Sequence, residues 1–156
     1  MKTKIILVLI TVCTLLVEQL SAQLVWGANK ITQNSSYILI SNASMHSSLG
    51  VWENRTYSTH ISINVKEKTI IKSVDGGIVS KHNIIDIITP EFGNWTEIVY
   101  LTHAAPTFGL QGAPKDQVYT YSVKIRNGEL IVSFSPAWIS ETIYERIKSI
   151  ENLRNN

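Results

Sequence analysis

The most regular stretch of the chain runs from Val118 to Ser135, VYTYSVKIRNGELIVSFS. Tyr119, Tyr121, Val123 and Ile125 alternate with Thr120, Ser122, Lys124 and Arg126, the period of two of a strand with one buried face. Asn127-Gly128 tolerates the two positive φ angles of a type I′ turn, and Leu130, Val132 and Phe134 then resume the alternation. A hairpin over residues 118–135 is therefore predicted. A second hairpin is predicted over 58–74, where Ile61, Ile63 and Val65 face inward and His60, Ser62 and Asn64 outward. Lys66 to Lys68 form its turn, and Asp75-Gly76-Gly77 ends it with residues that accept unusual dihedrals. A third spans 83–102, where Asn83–Thr89 and Trp95–Thr102 are joined by the short PEFGN. Leu24–Thr32 and Tyr37–Ser41 read as further strands.

Neighbouring strands with tight turns, not strands alternating with helices, predict an antiparallel sheet. The expected fold is mainly β, a single sandwich or barrel-like domain of about seven to nine strands. The C-terminal segment has a different period. Ser135-Pro136 suits a helix cap and first turn, and Ile139, Ile143, Ile147 and Ile150 follow at spacings of four, four and three. Glu141, Glu145, Lys148 and Glu151 fall on the other side. An amphipathic α-helix over about 136–152 is expected to pack across the sheet.

The N-terminus changes the picture of where the protein works. Lys2 and Lys4 precede the apolar run Ile5–Val17, and Ser21-Ala22 supplies a small-residue exit, the layout of a secretory signal peptide over 1–22. The run is shorter than the roughly 20 apolar residues that span a bilayer, so no integral membrane anchor is expected. Cleavage after Ala22 leaves residues 23–156 as one domain. The single cysteine, Cys13, lies inside the apolar run, so the mature chain has no thiol and hydrophobic burial must carry its fold. An exported protein, periplasmic or extracellular, is expected. Four N-x-S/T sequons stand at Asn34, Asn42, Asn54 and Asn94, glycosylation sites only in a eukaryotic host. The chain carries 14 basic and 12 acidic residues with no basic run, which gives nucleic acid no footprint.

Catalytic patterns are sparse. His46, His60, His82 and His103 show no metal-ligand spacing, and His46 and His82 fall in expected turns. No G-x-S-x-G elbow and no phosphate-binding glycine loop occurs, so no metal and no cofactor is expected. The sharpest enzymatic alternative is a small hydrolase acting on glycans, which needs two carboxylates at controlled separation. Asp86 and Glu97 lie on adjacent predicted strands. Pairing Thr89 with Trp95 sends them to opposite faces, whereas pairing Thr89 with Asn94 sets them opposite one another.

Binding has more to draw on. Gly50-Val51-Trp52 resembles the G-x-W signature of lipocalins, and that resemblance implies a β-barrel holding a small apolar ligand. Trp52 and Trp95 are candidate ligand contacts; Trp26 and Tyr119 share with Trp95 the aromatic faces that stack on sugars. The apolar loop HAAPTFGLQGAPKDQ, residues 103–117, links two predicted strands. Phe108 and Leu110 within it suit either a plug at one end of the sheet or a binding lip. The chain thus reads as an exported binding or interaction module, with a small ligand, a glycan or an envelope or extracellular protein as partner.

Overall fold

The computed structural model describes residues 23–89, 97–105, 117–136 and 140–153. These residues form ten β-strands and no helix. They are β1 (Gln23–Trp26), β2 (Asn29–Thr32), β3 (Tyr37–His46), β4 (Glu53–Asn64), β5 (Thr69–Val74), β6 (Gly77–Ile88), β7 (Glu97–Ala104), β8 (Val118–Arg126), β9 (Glu129–Pro136) and β10 (Ile143–Asn152). β3 to β10 make a closed antiparallel barrel in which every strand pairs with its sequence neighbours and β10 returns to β3. Of the two architectures expected, the barrel is the one formed.

The strands of each predicted hairpin pair as antiparallel neighbours, and the PEFGN connection of the third lies outside the described residues. Asn127 (φ 53°) and Gly128 (φ 80°) make the positive-φ turn between β8 and β9, where Val123 faces Val132 and Tyr121 faces Phe134. Ile61 and Ile63 point into the barrel while His60 is exposed, as the alternation requires. Asp75 and Gly76 do more than end a hairpin: they turn the chain directly into β6, which starts at Gly77. Gly27 breaks the expected strand 24–32 into the separate pair β1 and β2.

The C-terminal helix expected over 136–152 is absent; that segment supplies β10, the strand that closes the barrel. Ile143, Glu145 and Ile147 pair with His46, Ser44 and Ser41 of β3, and register shifts between Arg146 and Ser149 then move the inward phase to Ile150, opposite Leu39. A strand alternation interrupted by a bulge thereby produces the four-and-three isoleucine spacing that mimics a helix. Pro136 ends β9 opposite Tyr119, a position where a missing N–H is tolerated. β-Branched isoleucine also favours a strand over a helix.

The barrel has unlike ends. At one, the β4–β5 and β8–β9 turns lie beside the β1–β2 hairpin. Leu24 and Ile31 of that hairpin are 1% exposed within the core, and Trp26 Nε1 donates to the Gly128 carbonyl at 3.2 Å. The adjoining interior is filled: Leu39, Ile61, Ile63, Ile70, Ile98 and Val123 are each 1% exposed or less. The far end is marked by the Asp75-Gly76 turn and by the connections 47–52 and 105–117.

Candidate functional site

Towards the far end the inward positions change from aliphatic to polar. On β3 the sequence Tyr37, Leu39, Ser41 runs up the inner wall, and on β4 the matching order is Ile63, Ile61, Thr59. On β5 Ile70 is followed by Lys72, and on β10 the inward residue is Glu145. Strand alternation therefore delivers two hydroxyls, a cation and a carboxylate to one level of the interior, and Arg55 joins them from the upper part of β4.

These groups form one network. Glu145 is 2% exposed. Its carboxylate accepts from Lys72 Nζ at 2.8 Å, from Ser41 Oγ at 3.0 Å and from Arg55 Nη1 at 3.2 Å. Arg55 Nη1 also donates to Thr59 Oγ1 at 2.8 Å, and its guanidinium lies 5.4 Å from the centre of the Tyr57 ring. A buried carboxylate survives only when paired and fully hydrogen-bonded, and four strands cooperate to do this for Glu145. The opposite inner wall is aromatic. His82, 1% exposed, meets Tyr119, Tyr121 and Phe134 at ring-centre distances of 4.7, 5.2 and 5.6 Å. Its Nδ1 lies 3.3 Å from Thr102 Oγ1, and burial pulls its pKa down from 6.5 to about 4.

Around the far end the apolar side chains are solvent-facing. Leu49 and Val51 are 61% and 64% exposed, Ile78 and Val79 each 53%, and Tyr57 39%. Val79 sits in the bulge between the Lys72–Ser80 and Ser73–Ile78 pairs, so the rim continues directly from the Lys72 position.

The residues singled out from sequence fall elsewhere. Asp86 is exposed and pairs with Leu101, while Glu97 pairs with Lys124 and accepts from Ser122 Oγ. Neither expected register occurs: Asp86 faces Leu101, where the two expected pairings set it opposite Ile98 or Glu97. Glu97 lies four residues along β7 from the partner of Asp86, roughly 13 Å at the usual strand rise, so the structure does not bring the two acids together. Trp52 lies on the outer wall, its ring 4.3 Å from the Arg146 guanidinium. It borders a groove of about 240 Å³ with Met45, Arg126 and Tyr144. Asn34, Asn42 and Asn54 are exposed. Trp95, Phe108, Leu110 and Asn94 lie outside the described residues, but the 105–117 connection leaves from the far end. There Ala105 N donates to the Lys81 carbonyl at 2.8 Å and His103 Nδ1 meets the Gln117 carbonyl at 3.0 Å, which ties the base of that connection. His82, expected in a turn, is instead an inward residue of β6.

Sequence reasoning missed Arg55, Lys72 and Glu145. The signal for two of them was present in the alternation: Ile70, Lys72 and Val74 share one face of β5, and Ile143, Glu145 and Ile147 one face of β10. Among the described residues no group of three or more His, Cys, Asp or Glu is placed to hold a metal ion. No family model, curated protein or solved structure matches this chain.

Proposed function

We propose that this protein is an exported, non-catalytic binding barrel of lipocalin-like type that holds a small ligand at its far end. The observation that carries this is the division of the interior. The half next to the β1–β2 hairpin is packed with aliphatic side chains, whereas the far half fixes a charged network and an aromatic cluster beneath an exposed apolar rim. Binding sites combine apolar walls with a few fixed polar groups that orient the ligand, and the far end offers both. Packing below limits the ligand to the far end and its rim.

The test is ligand-induced stabilisation. Melting temperatures of the mature protein are measured against a panel of small apolar and amphipathic molecules, in parallel with Tyr57→Ala and Val79→Ser. Both residues are exposed, so these variants are expected to melt like the parent and to respond less to the ligand. A panel with no stabilising member, or one that stabilises the rim variants as strongly as the parent, removes the proposal.

A further inference from the structure

The far-end network holds more positive charge than it neutralises. Arg55 and Lys72 bring two cations to a single buried carboxylate, Glu145. Their side chains are 16% and 23% exposed, against 3% for Glu145. The carboxylate is thus the most enclosed of the three, and both cations keep partial exposure to solvent. Both cations are donor-only groups with several N–H each. Lys72 turns one on Glu145, and Arg55 divides Nη1 between Thr59 and Glu145 with Nη2 at a longer 3.4 Å from Oε1. Donors remain that face neither acceptor.

Among the described residues, other acids at this end do not cancel the excess. Glu141 is engaged by His46 Nδ1 at 3.0 Å and Ser48 Oγ at 2.9 Å, and the hydrogen bond from Ser48, followed by that from His46, lowers its pKa. Glu53 and Asp75 are exposed and form no ion pair among the described residues. Charges in water interact weakly, whereas half-buried ones act at lower dielectric and are screened less.

We propose that the Arg55–Lys72 pair receives the negatively charged head of a small amphipathic anion, whose apolar body then lies on Tyr57 and Val79. This inference rests on the carrier reading and adds the ligand's charge and orientation. The head enters first because the packed lower barrel leaves no room for an apolar tail, whereas Tyr57 and Val79 offer exposed apolar surface at the rim. Guanidinium and ammonium donors suit a carboxylate or a sulfate alike.

Decanoate, decyl sulfate and uncharged decanol, which share one tail, are titrated into the mature protein by calorimetry at low and high salt. Both anions are expected to bind more tightly than decanol and to weaken as salt rises, with decanol indifferent to it. Arg55→Gln and Lys72→Gln each leave Glu145 one cationic partner, which favours folding, and each should weaken decanoate about ten-fold or more. A preference for one anion over the other identifies the head group. Decanol binding as tightly as decanoate overturns the inference while leaving the carrier reading intact, and this comparison needs no variant. Folded Arg55→Gln and Lys72→Gln proteins that keep full decanoate affinity also overturn it. If none of the three binds, both the inference and the carrier reading fall.

Discussion

The hydroxyls of Tyr37 and Tyr100 meet 2.8 Å apart inside the packed half of the barrel, each side chain 1% exposed or less. Burial raises the pKa of both, that of Tyr100 to about 12, so each stays neutral and serves as the other's hydrogen-bond partner. Tyr37→Phe or Tyr100→Phe strands one buried hydroxyl and should cost about 1–3 kcal/mol in urea unfolding, whereas the double variant should lose less than the sum. Additive losses would show that the pair does not share this bond. His82 gives a pH prediction. Its folded pKa of about 4 lies below the unfolded 6.5, so between those values the unfolded chain binds the extra proton and stability rises with pH. The contribution is complete above about pH 6.5 and drains away as pH falls toward 4, a loss of at most roughly 3 kcal/mol. His82→Gln should flatten that part of the stability profile; an unchanged slope would assign it to other groups.

At the scale of elements, β10 is where sequence and structure part, and the reason is physical. The hairpin over 118–135 was legible because its inward positions are uninterrupted apolar residues and its turn is Asn-Gly. In β10 the inward series contains Glu145, which reads as solvent-facing, and a bulge changes the phase before Ile150. Both features hide a strand behind a helical period. The β6–β7 register was hidden for another reason: Asp86 pairs with Leu101, three or four residues further along β7 than a tight PEFGN turn implies. The candidate site was less legible still. Lys72 and Arg55 reach Glu145 across 73 and 90 residues of chain, so no local pattern announces the network. A strand and a docked helix differ in what their loss does. Truncation after Ser140 removes β10 and exposes the edges of β3 and β9; a cooperative unfolding transition should disappear and aggregation appear. A truncated protein that still melts cooperatively would place the closing strand outside the essential fold.

For the whole molecule, the division into a packed half and a charged half predicts that stability and binding can be separated by position. Ile98 is 1% exposed in the filled half, and Ile98→Ala should leave a cavity costing about 2–5 kcal/mol. That cavity lies below the charged network, so decanoate affinity of the folded fraction should hardly change. Val79, 53% exposed on the rim, has little packing to lose, and Val79→Ser should change the stability read from urea unfolding by no more than about 0.5 kcal/mol. It should nevertheless weaken decanoate, because the rim supplies the apolar contact that the filled interior cannot. The decisive measurement is both quantities on both variants. If Ile98→Ala improved decanoate binding, the ligand would be reaching the lower barrel and the tail would point inward. If Val79→Ser bound as the parent does, the rim would be no part of the site. The expected crossing, stability lost without affinity at Ile98 and affinity lost without stability at Val79, is what the proposed far-end site requires of a barrel whose other half is packed.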